Sequence, residues 1–81
     1  MYVFAGIVEG CLEMKVDDDH FHYVIKVPLD ERGLTALGRF CAEHKITACM
    51  CSSSIDFPEE DGAPEGFDAH EFLDSALKFA L

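Results

Sequence analysis

The chain is expected to form an α+β domain: a small four-stranded, mostly antiparallel sheet with two helices packed on one face, in the order β-β-β-α-β-α. Three observations predict this. Residues 2–28 hold three short runs rich in β-branched and aromatic residues, punctuated by Glu9-Gly10 and by Asp17-Asp18-Asp19. Two later segments carry apolar residues at spacings of three and four. Between them, residues 46–51 alternate with period two.

In the first run, residues 2–8, both alternating sets are apolar, Tyr2/Phe4/Val8 and Val3/Ala5/Ile7. Such a strand is expected to lie centrally, covered on both faces. Glu9-Gly10 supplies a tight turn. Residues 11–16 then place Leu12, Met14 and Val16 on one face and Cys11, Glu13 and Lys15 on the other. After the aspartate turn, Phe21, Tyr23, Ile25 and Val27 alternate against His20, His22, Val24 and Lys26, which completes an antiparallel meander. Pro28 closes the third strand.

A helix follows, with Leu34, Leu37, Phe40, Cys41 and His44 on one stripe. Gly33 and Gly38 weaken it by up to ~1 kcal/mol each relative to Ala, so packing must hold it. The fourth strand, residues 46–51, sets Ile46, Ala48 and Met50 against Thr47, Cys49 and Cys51. Placed beside the first strand, it gives the spatial order 4-1-2-3. Residues 52–66 form a long loop containing Pro58, Pro64 and five acids. In the last helix Asp68 is the expected cap, Glu71 completes a capping box, and Phe67 staples against Phe72. Phe72, Leu73, Ala76, Leu77 and Ala80 form its buried stripe. Leu37, Phe40, Phe72, Leu73 and Leu77 are the expected joints between helices and sheet. Residues 1–81 read as a single domain without repeats or linkers.

Charge narrows the function. Sixteen Asp and Glu against six Lys and Arg give a net charge of −10. Contact with a phosphate backbone requires cationic neutralisation, which argues against direct binding of nucleic acid or anionic lipid. Eighty-one residues are too few for a large multi-step enzyme. The apolar run at the start stops at Glu9 and has no basic residue before it, so it is not read as a secretory signal. No stretch approaches the ~20 apolar residues of a membrane span. A soluble, cytoplasmic protein is expected, with Cys11, Cys41, Cys49 and Cys51 reduced.

Candidate chemistry is sparse. His20 and His22 on one strand, with Cys49 and Cys51 on another, have the composition of a Cys2His2 zinc set. In the order 4-1-2-3 the two pairs lie at opposite sheet edges, ~14 Å apart, beyond the reach of one ion. Cys41 and His44, one helical turn apart, resemble a thiolate–imidazole pair, yet both continue the apolar stripe and no motif supplies an oxyanion site. Asp56 to Gly62 puts Pro58 where a calcium ligand belongs and its glycine one position late, and Asp17 to Asp19 lacks the glycine and the distal Glu, so neither cluster fits an EF-hand loop. No catalytic residue, cofactor or metal is therefore assigned, and a non-enzymatic role is expected.

The remaining feature is the distribution of charge. Residues 52–81 carry Asp56, Glu59, Glu60, Asp61, Glu65, Asp68, Glu71 and Asp74 against the single base Lys78, a net of −7 out of −10. Asp56, Glu59, Glu60, Asp61, Glu65, Asp68 and Asp74 are the candidate partner-binding acids, with Phe57 and Phe67 the candidate aromatic anchors among them. In size, acidity and architecture the chain resembles the small inhibitors that phages and plasmids encode, among them anti-CRISPR and anti-restriction proteins and nuclease immunity proteins. The resemblance implies an inhibitor that meets a basic nucleic-acid-handling protein, such as a nuclease, by nucleic-acid mimicry and blocks its substrate site. Two alternatives stand beside it: a zinc-binding or regulatory module built on His20, His22, Cys49 and Cys51, and an assembly subunit that forms a homodimer through a sheet edge.

Overall fold

Glu9 and Gly10 both sit at positive φ, 52° and 76°, the type I′ turn whose twist matches that of the strands it joins. They connect β1 (Tyr2–Val8) to β2 (Cys11–Asp18), and Asp19-His20 connects β2 to β3 (Phe21–Pro28). The structure is a computed structural model describing residues 2–47, 57 and 61–80. The three described strands form an antiparallel sheet in the order β1-β2-β3. Its register sets Val3, Val16 and Tyr23 in one row, Ala5, Met14 and Ile25 in the next, and Ile7, Leu12 and Val27 in a third. Because partners in register share a face, these rows form the inner face, and Leu12, Met14, Val16, Ile7 and Val27 are buried there.

Helix α1 (Glu31–Glu43) is capped by Asp30, whose carboxylate accepts the Gly33 N–H at 3.0 Å. It ends in a Schellman motif: the Ile46 N–H donates to the Cys41 carbonyl at 2.8 Å and the Lys45 N–H to the Ala42 carbonyl at 3.3 Å. Lys45 occupies the left-handed position with φ 57°. The apparently weak glycines have a packing role. A Cβ on Gly33 would lie 1.7 Å from the Pro28 carbonyl oxygen, and one on Gly38 would lie 2.5 Å from the Phe79 ring. These bare positions let the end of β3 and the C-terminal segment approach the helix closely.

Helix α2 (Ala69–Leu77) continues into a 3₁₀ turn, Lys78–Ala80. The Asp68 carboxylate accepts the Glu71 N–H at 3.1 Å, and the Phe67 and Phe72 rings meet at 5.5 Å, so the expected cap and staple both form. Leu37 and Cys41 of α1 join Ala69, Leu73, Ala76 and Leu77 of α2 and the inner sheet face in one buried cluster. Phe40 and Phe72 pack against it half-buried. No described helix is long and apolar enough to cross a membrane.

Three expectations change. β1 is not covered on both faces: Tyr2, Phe4 and Val8 are 70%, 58% and 43% exposed. Its two-sided apolar character reflects one core face and one open face. Of the expected fourth strand, Ile46 and Thr47 are described and are not in a strand, Ile46 being buried at the Schellman turn. Residues 48–51 lie outside the described residues, and with them the test of the order 4-1-2-3. Phe57, expected as an exposed anchor, is only 8% exposed and belongs to the core cluster, where it meets His70 edge-on at 4.9 Å. Its acidic neighbours in sequence do not determine its own burial.

Candidate protein-binding surface

Residues 61 and 62 are fastened to the first turn of the sheet. The Gly10 N–H donates to the Asp61 carbonyl at 2.9 Å, and Gly62 approaches so closely that a Cβ there would lie 2.5 Å from the Gly10 nitrogen. This leaves the Asp61 carboxylate exposed beside the β1–β2 turn. Glu65 is exposed in the next turn, and Asp68 opens α2. Glu71 and Asp74 are exposed at successive three-residue spacings, so Asp68, Glu71 and Asp74 run along one side of the helix and Lys78 continues that line. Asp56, Glu59 and Glu60 lie outside the described residues.

The ion pairs of the described residues all sit elsewhere. Lys15 Nζ lies 3.5 Å from Glu13 Oε1, His22 Nδ1 lies 3.0 Å from Asp17 Oδ1, and Lys26 Nζ lies 4.0 Å from Glu9 Oε2. All three belong to the sheet and its first turn. Asp61, Glu65, Glu71 and Asp74 have no ion pair among the described residues. Asp68 is the exception in role, because its carboxylate is used by the helix cap. Lys78 is the one Lys or Arg of residues 61–80, against the five acids Asp61, Glu65, Asp68, Glu71 and Asp74.

Beside these acids runs a groove of about 330 Å³, walled by Leu34 from α1, Phe67 before α2, and Phe72 and Ser75 on α2, with Asp68 and Glu71 at its rim. Phe67, a candidate anchor, is therefore a wall of this groove as well as a staple. Sequence reasoning missed Leu34 and Phe72 as surface-forming residues because each also continues an apolar helical stripe. The groove suits a side chain with an apolar stem and a cationic end. Aromatic walls accept the stem or a guanidinium face, and the carboxylates at the rim meet the charge.

The other candidates separate. His22 lies on the outer sheet face in its pair with Asp17, and His20 lies in the β2–β3 turn with its ring 6.3 Å from that of Phe21. Cys49 and Cys51 lie outside the described residues. No group of three or more metal-ligating side chains occurs among the described residues. Cys41 is fully buried, and the ring of its helical neighbour His44 packs at a tilt against Tyr23, at 3.9 Å, and Phe40, at 4.5 Å. A nucleophilic thiolate requires access and an electropositive setting, whereas these residues occupy the core and an aromatic cluster at its edge. No known family, curated protein or solved structure matches the chain.

Proposed function

We propose that the protein is a non-enzymatic binding protein of the cytoplasm whose acidic loop and α2 side engage a basic nucleic-acid-handling partner and block its substrate site. The observation that supports this most is the groove between Leu34, Phe67 and Phe72 with Glu71 at its rim, set among acids that form no ion pair among the described residues. The acids steer a cationic partner toward this side and set the association rate. The groove takes one arginine or lysine side chain as the central contact, where desolvation makes a contact count most. Occupying a cationic substrate channel excludes the nucleic acid that would otherwise neutralise it.

The test is competition. A basic nuclease or nucleic-acid-binding protein captured from the source cells is titrated with its own nucleic acid in the presence of this protein. The proposal expects mutually exclusive binding, with the Phe72→Ala variant, provided it is folded, shortening the lifetime of the complex. A ternary complex with nucleic acid still bound would overturn it.

A further inference from the structure

The register sets four rows on the outer sheet face: Tyr2, Asp17 and His22; Phe4, Lys15 and Val24; Gly6, Glu13 and Lys26; Val8, Cys11 and Pro28. No described element covers it, and Tyr2, Phe4, Val8 and Val24 remain open, Val24 at 62%. Tyr2, Phe4 and Val8 lie on one side of the charged central strand and Val24 on the other, and exposed apolar residues gathered on one face of a small domain mark an interaction surface. Its charge identifies the occupant. On a chain of net −10, this face balances Glu13 and Asp17 against Lys15 and Lys26. A cationic partner finds no excess negative charge here, and an anionic one finds no excess positive charge. A surface whose apolar residues flank acids and bases in equal number is complemented by a second copy turned so that acid meets base.

We infer that the outer sheet face is a self-association surface on which a second copy of this chain packs face to face. The charge pattern also selects the symmetry. A two-fold axis lying between the sheets, perpendicular to the strands, and passing between the Lys15 and Glu13 rows exchanges those rows. It sets Lys15 against Glu13 of the second copy, Phe4 over the bare backbone of Gly6, and Tyr2 against Val8. An axis parallel to the strands would oppose Lys15 to Lys15 and Asp17 to Asp17 instead. The face measures roughly 14 by 25 Å from strand spacing and rise, small beside the ~800 Å² per partner of a standard stable interface. The dimer therefore belongs to the weak, reversible class, formed at micromolar or higher concentration. This surface differs from the acidic one proposed for the basic partner, and neither proposal depends on the other.

Sedimentation equilibrium of the full chain from about 1 µM to about 1 mM at physiological salt reads the association directly. A monomer–dimer equilibrium is expected. Phe4→Thr with Val24→Thr keeps the charge and the strand preference, and should weaken the dimer about tenfold or more while thermal unfolding shows the fold retained. Lys15→Glu should weaken it similarly, and adding Glu13→Lys should restore it. A wild-type chain monomeric throughout, or a dimer unaffected by the Phe4 and Val24 changes, overturns the surface. A charge-swapped pair no tighter than Lys15→Glu alone overturns the two-fold.

Discussion

The outer sheet face and the loop–α2 side both combine aromatics with charge, yet they balance the two in opposite ways. On the sheet, acids and bases alternate along neighbouring strands and pair locally, as in Lys15 with Glu13 and His22 with Asp17. What remains there for a partner is apolar area. Along α2 three acids follow one another before the single base Lys78, and the aromatic residues withdraw into a groove. What remains there is a field with one apolar slot. The difference teaches that exposed charge predicts recognition by its neighbours' signs more than by its amount. Surface ion pairs such as those of the sheet contribute little stability each, but they cancel the long-range field.

Both surfaces rest on the same frame, so the largest effect should come from breaking it. Gly33→Ala tests this with opposed signs: helix propensity alone favours Ala by ~1 kcal/mol, whereas the collision with the Pro28 backbone should cost about 2–3 kcal/mol net and abolish both associations together. Urea titration checks it, and a more stable variant would show that α1 can shift without consequence. Next in size is Asp61, Glu65 and Asp74 changed to Lys, which should slow association with a basic partner by about tenfold or more. The same variant should leave the melting temperature almost unchanged and tighten self-association, since the copies then repel less. Stopped-flow rates and sedimentation separate those outcomes. The smallest effect is expected from Asp68→Ala, at about 1 kcal/mol of stability from the lost α2 cap, with the walls of the groove loosened and the sheet face unchanged. A loss of self-association in that variant would show that the two surfaces are coupled.

Much of the fold was legible in the sequence because its signals are local. The alternation of Leu12, Met14 and Val16, the Glu9-Gly10 turn and the Asp68 cap each follow from a few adjacent residues. What was not legible depends on what the rest of the chain places nearby. The apolar run of β1 reads the same whether its second face meets a helix or solvent, and the structure leaves Tyr2 and Phe4 open. Phe57 sits among acids in the sequence but enters the core, which leaves Phe67, at the groove, as the candidate anchor. Gly33 and Gly38 read as weaknesses of α1 until Pro28 and Phe79 are placed against them. The acids of the candidate site were legible as composition, while their freedom from ion pairs among the described residues required the three-dimensional arrangement.

The most direct test of the two-surface account is one salt titration of the wild-type protein, read for both associations. Raising ionic strength from about 50 to about 500 mM shortens the Debye length from ~14 to ~4 Å. Binding to a basic partner, driven by the acidic side, should weaken steeply. Self-association through the neutral face should instead strengthen, because the repulsion between two chains of net −10 is screened while the apolar contact is preserved. Opposite slopes are the predicted result. Two associations that weaken together with salt would contradict the account, since both would then depend on the same acidic surface.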